Sequence, residues 1–148
     1  MKLGDVPLTK PGEELNQNYL FYGWSGTGKT VLASTFPKPV LFIDVNDRGS
    51  NSIVGTEGCY VANVTTLEEL YSVVESLEEE CRFKTVVVDT ISQVQDLILS
   101  DVLATEGETS QRVWGKVGGD TKDLLGRIRD LSAITVFLAQ IRESKQAG

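Results

Sequence analysis

Apolar residues fall along this chain in two rhythms. Short continuous runs read as strands buried on both faces: Tyr19–Tyr22, Val40–Asp44 with an acid at its tip, Lys84–Asp89 with another, and Ile134–Ala139. Cys59–Val64 reads as a shorter strand. Between the runs the spacing changes to that of amphipathic helices. Leu67, Leu70, Tyr71, Val74 and Leu77 mark a helix over Thr66–Glu80, with Thr66 and Glu69 as a capping box. Ile91, Val94, Leu97, Ile98 and Val102 mark one over Ile91–Ala104, and Leu124, Leu125, Ile128 and Leu131 mark one over Asp120–Ser132. A short helix opens at Lys29 and stops before Pro37 and Pro39. The segments Asn46–Gly58 and Thr105–Gly119 are rich in glycine and polar residues and read as loops, the second with room for one helical turn.

Strand and helix therefore alternate, which predicts an α/β fold: a mainly parallel sheet with right-handed crossovers and helices on both faces. Residues 1–17 carry Pro7, Pro11 and Gly12 without periodicity and read as a loose lead-in or a short edge element before one core domain over 18–148. The length suits a single hydrophobic core.

One stretch carries specific chemistry. Gly23-Trp24-Ser25-Gly26-Thr27-Gly28-Lys29-Thr30 fits G-x-x-x-x-G-K-[ST] at every fixed position, between a predicted strand and a predicted helix. Glycines there let the backbone approach phosphate oxygens, so that loop N–H groups and the helix N-terminus converge on an anion. Lys29 is placed to reach the outer phosphates and the Thr30 hydroxyl to ligate Mg²⁺. Asp89, after Thr-Val-Val-Val, is the matching Walker B acid for the metal; the plainer alternative makes it the cap of the helix from Ile91. Hydrolysis also needs a group that orients or deprotonates water. Asp44, Asn46 and Asp47 follow the second strand, and Gln140 stands at the tip of the last, where its amide could sense a terminal phosphate.

Composition removes several alternatives. Histidine is absent, which excludes Ser-His-Asp and Cys-His mechanisms and histidine-ligated metals. The two cysteines, Cys59 and Cys81, make neither a disulfide framework nor a zinc motif. No apolar run is long enough to span a bilayer, and Met1–Thr9 lacks an apolar signal core, so a cytoplasmic protein is expected. Net charge is −7, unevenly spread: −1 over residues 1–60, −9 over 61–110 and +3 over 111–148. The total disfavours nucleic acid, but the basic C-terminal part leaves room for a local anion surface.

The phosphate loop, Phe36-Pro37-Lys38-Pro39, Leu41-Phe42-Ile43-Asp44, Trp114-Gly115-Lys116 and the ending Val136-Phe137-Leu138-Ala139-Gln140-Ile141-Arg142 together resemble the RecA-like ATPases of phages, in particular the small Sak-type single-strand-annealing ATPases. The resemblance covers roughly residues 18–143. It implies a three-layer RecA-like core truncated after the Gln140 strand, ATP and Mg²⁺ as ligands, and a homo-oligomer, since RecA-like sites often lie between subunits. It also implies action on single-stranded DNA in annealing or recombination beside a single-strand-binding or other phage replication protein, in the host cytoplasm. By position, Lys29 and Thr30 hold phosphate and Mg²⁺, Asp89 is the Walker B acid, Gln140 is the γ-phosphate switch, and Arg142 and Lys145 are the charged donors for DNA after it. The family's catalytic glutamate, two residues past the Asp that ends the second strand, is replaced by Asn46, which implies slow hydrolysis unless Asp47 substitutes. Trp114 is a candidate for stacking on a base, or else a core or subunit contact. A second reading is a nucleotide-gated interaction module with little hydrolysis and no DNA binding. A small-molecule kinase is weaker, because no arginine-rich lid follows the Walker B strand. No Asn-Lys-x-Asp guanine-reading string occurs, which favours ATP over GTP.

Overall fold

The structure, a computed structural model, describes residues 1–8, 17–24, 28–46 and 55–141. It contains a hairpin, β1 (Lys2–Leu3) with β2 (Val6–Pro7), and then β3 (Asn18–Gly23), α1 (Lys29–Ser34), β4 (Val40–Val45), β5 (Cys59–Val64), α2 (Leu67–Glu79), β6 (Thr85–Asp89), α3 (Ile91–Glu106), α4 (Gln111–Arg129) and β7 (Ile134–Gln140). The hairpin stands apart, and the main sheet has the order β3-β7-β6-β4-β5 with every pairing parallel. This is the expected α/β architecture. Its notable feature is the insertion of β7, the last strand among the described residues, between β3 and β6.

The sheet separates two cores. Because side chains alternate across a strand, Leu41, Ile43, Val45, Val86 and Val88 point to one face, where α2, α3 and α4 cover them. Val40, Phe42, Val87, Val136 and Leu138 point to the other, where they meet Ala33 of α1 together with Phe21 and Phe36. Tyr19, Phe21 and Phe36 make edge-on ring contacts beneath α1. β4 and β6 are buried at every position, which their continuous apolar runs require.

Local chemistry sets the helix ends. The Thr66 hydroxyl accepts a bond from the Glu69 N–H at 3.1 Å, so the expected cap of α2 is present. Glu69 answers by accepting from the Thr66 hydroxyl rather than by reaching back to its backbone. Gly107, with φ of 82°, ends α3, and its N–H donates to the Leu103 carbonyl at 2.8 Å.

Two expectations need correction. The run Tyr19–Tyr22 forms a strand but not a buried one: β3 is the edge of the sheet, with one neighbour, and none of its positions is buried. Residues 111–119 are not loop: α4 runs unbroken for 19 residues from its Ser110 cap, whose hydroxyl accepts from the Val113 N–H. Gly115, Gly118 and Gly119 suggested a break. The helix persists because Val113, Val117, Thr121, Leu124 and Ile128 share a face and are all buried, and that packing outweighs the glycines' poor propensity. At the start of the chain β1 and β2 pair across Gly4, whose φ of 62° suits the turn.

Candidate nucleotide site

β3 and α1 bring Gly28, Lys29 and Thr30 to the carboxyl end of the sheet, where parallel α/β sheets bind ligands. Gly28 caps α1 with φ of 87°, a conformation that strains any residue with a Cβ. Ser25, Gly26 and Thr27 lie outside the described residues. At the loop entry, Lys29 Nζ donates to the Gly23 carbonyl at 3.0 Å and to the Trp24 carbonyl at 2.7 Å. The Lys29 ammonium is thus held at the loop entry, against the carbonyls that end β3. Gly23 is half-buried and Trp24 half-exposed.

The contact that joins the two motifs is the bond from Thr30 Oγ1 to Asp89 Oδ2, at 3.3 Å across 59 residues of sequence. Asp89 ends β6, buried. The helix cap beside it is Thr90, whose hydroxyl accepts from the Gln93 N–H at 3.4 Å. The capping role considered for Asp89 therefore belongs to its neighbour.

Strand register supplies the other candidates. Asp44 is paired with Asp89 across β4 and β6, and Gly23 with Gln140 across β3 and β7. Asp44 shares parity with Phe42, Asp89 with Val87 and Gln140 with Leu138, so all three point to the face that carries α1. The sheet gathers Thr30, Asp44, Asp89 and Gln140 at one end and on one side. The Ile141 N–H also donates to the Gly23 carbonyl at 2.9 Å, so the exit of β7 is tied to the entry of the phosphate loop.

Asn46 lies just beyond β4, exposed, with φ of 50°, and its N–H donates to the Val64 carbonyl at 2.9 Å. It is the only non-glycine residue with positive φ among the described residues. Asparagine tolerates that conformation better than glutamate does, which accounts physically for the residue at this position. No sequence signal announced it. Asp47, Arg142 and Lys145 lie outside the described residues.

The donor set fits Mg²⁺ with phosphate: a threonine hydroxyl and an aspartate carboxylate in contact are hard oxygen donors, and a lysine ammonium stands at the mouth of the loop. Among the described residues no cluster of three His, Cys, Asp or Glu makes an all-protein metal cage, and no helix is long and apolar enough to cross a membrane. Phosphate loop, Walker B acid and parallel sheet define a P-loop NTPase. Residues 15–148 match the AAA domain family, and the chain belongs to it. No curated protein matches the chain. Among solved structures it is similar to a prototypical ATPase from the type III secretion system of pathogenic bacteria, with a TM-score of 0.63 and 14% sequence identity. The similarity covers 90% of this chain and 47% of that one, so this chain spans about half its length, and at that identity the likeness is one of fold.

Proposed function

We propose that this chain binds ATP with Mg²⁺ and hydrolyses it slowly, and that nucleotide state controls its hold on single-stranded DNA in strand annealing or recombination. The observation that carries the nucleotide reading is the Thr30–Asp89 contact, with the Lys29 ammonium at the loop entry. Lys29 exchanges two neutral carbonyls for phosphate oxygens, and such charge-assisted bonds are the stronger ones. Thr30 and Asp89 would hold the metal, which supplies positive charge against the phosphates when bound. Asp44 and Asn46, at the end of β4, orient the attacking water. Asn46 has no proton-accepting carboxylate, hence the slow rate. Gln140 carries the state of the terminal phosphate to the residues after β7, Arg142 and Lys145 among them, and the Ile141–Gly23 bond supports that coupling. Self-association is expected where such a site lies between subunits.

Lys29→Ala is expected to abolish binding in a fluorescent-ATP titration; unchanged affinity would remove the central claim. DNA binding is tested by anisotropy of a labelled single strand with and without ATP–Mg²⁺ at two salt concentrations. Binding that needs ATP and weakens with salt supports the reading.

Asn46 favours a second reading, a nucleotide-gated interaction module that turns over little and recruits a partner without DNA. ATP binding without DNA binding in either state would select it.

A further inference from the structure

The N-terminal half of α4 has a surface that neither the core nor the nucleotide site explains. Gly115, Gly118 and Gly119 all lie on its exposed side, and a Cβ built on any of them would meet nothing within 4 Å. None is there to relieve crowding, and none has a positive φ. Glycine is nevertheless the poorest helix former after proline. Three within five residues leave a strip of bare helix backbone at a cost in stability that no packing requires.

The exposed side chains flanking the strip are mainly aromatic and cationic. Trp114 is 49% exposed, and Arg112, Lys116 and Lys122 are exposed as well. From Gln111 to Lys122 three cations stand against one acid, the partly buried Asp120. The first turn of α4 has none, whereas α2 opens on Glu68 and Glu69. A helix N-terminus without acids, bearing cations, favours an anionic partner. Arg112 has a weak exposed ion pair to Glu106 at 3.6 Å, which salt screens. The partner is thus one with negative charge, flat apolar groups and a backbone able to lie close to a helix.

Position adds to this. Near their C-terminal ends α4 and α2 are joined by Arg127 Nε donating to Glu78 Oε2 at 3.1 Å, and the two helices lead into the amino ends of the paired strands β7 and β6. The first turns of α4 therefore point toward the carboxyl end of the sheet, the end that carries Thr30 and Asp89.

We infer that the exposed face of α4 from Gln111 to Lys122 docks single-stranded DNA, with Trp114 stacking on a base, Arg112, Lys116 and Lys122 pairing with phosphates, and the three glycines admitting the strand against the helix. Stacking platforms combined with cations are how proteins hold single strands without reading sequence. The inference rests on the single-stranded DNA reading above and gives it a surface distinct from the residues after Gln140.

The test uses the full chain with ATP–Mg²⁺ and a labelled oligothymidylate. Gly118→Ala with Gly119→Ala is expected to raise the melting temperature by several degrees, because alanine favours helix, while weakening oligonucleotide binding. Trp114→Ala is expected to weaken binding about ten-fold. Lys116→Gln with Lys122→Gln is expected to flatten the log-affinity against log-salt slope by about 1.4. If wild type binds and all three variants keep its affinity and slope, the α4 face is wrong and the DNA reading stands. If wild type holds ATP but no oligonucleotide, the DNA reading falls and takes this face with it. If Trp114→Ala instead lowers the sedimenting mass and leaves the salt slope unchanged, the face is a contact between copies, which also overturns the inference.

Discussion

Asp89 ends a strand buried at all five positions, whereas the phosphate loop hangs from β3, in which none of six positions is buried. One strand, β7, separates them. β6 has neighbours on both sides and a core on each face. β3 is the edge of the sheet; its Leu20 and Tyr22 are 61% and 69% exposed on the face where three helices cover the strands further in. The helix that follows it, α1, has only six residues. Asp89 is thus set in a fully buried strand, and Lys29 and Thr30, the proposed phosphate and metal ligands, sit on thin packing. Such a division lets ligand draw the loop onto a prepared acid, since binding segments come from the less stable parts of a fold.

The contrast can be broken at several points. Phe42 is fully buried and Phe21 only partly so. Phe42→Ala should lower unfolding free energy in urea by about 4 kcal/mol and Phe21→Ala by about 2 kcal/mol. Equal losses would mean the edge is as well packed as the centre. Asp89→Asn keeps the shape of a buried side chain and removes its charge, and is expected to slow ATP turnover on the order of 100-fold with the melting profile intact. Full activity would transfer the acid's role to Asp44. Saturating ATP–Mg²⁺ should slow hydrogen exchange in residues 18–24 and 28–34 more than in β4 and β6, by up to about 100-fold at 100 times Kd. Uniform protection would show that the two regions open together.

Smaller effects sharpen the picture. Asn46→Glu restores a base and should raise phosphate release several-fold, while its positive φ costs about 1 kcal/mol of stability. A flat rate would point to Asp47 as the residue that acts on water. The smallest effect belongs to the exposed Arg127–Glu78 pair, where the arginine's hydrogen bonds hold the Glu78 carboxyl below its ordinary value. A lowered carboxylate pKa stabilises the fold above the unfolded value and stops doing so as pH falls through the folded one. Melting temperatures of wild type and Arg127→Gln should therefore differ slightly near neutrality and converge in acid; a gap that persists would assign the effect to packing against Tyr71, over whose ring Arg127 lies.

Most of the fold was legible because burial on both faces writes itself as uninterrupted apolar runs. Val40–Asp44 and Thr85–Asp89 could be read with their acids in place, and so could the Thr66 cap. The phosphate loop was legible for another reason: its glycines answer a local need for backbone freedom. What was not legible depends on distant partners. Nothing within Gln111–Gly119 says helix until Val113 and Val117 find the core. Strand order was not written in the chain either: the sequence offered Gln140 as a sensor of a terminal phosphate, but only the pairing of β3 with β7 sets it opposite Gly23. The φ of Asn46 comes from the way the chain leaves β4, which no residue-by-residue pattern encodes.

The pairing of β3 with β7 also has a consequence for biosynthesis. Asn18 waits for Thr135, 117 residues later, and in the sheet no earlier strand among the described residues stands beside β3. On the ribosome the phosphate loop emerges early but its strand has no ladder to join until β7 has left the exit tunnel. β4, β5 and β6 can form their part of the sheet while synthesis continues. The proposed nucleotide site is thus assembled only once β7 is made, and a nascent chain arrested before Ile134 carries the loop's sequence without its β7 neighbour.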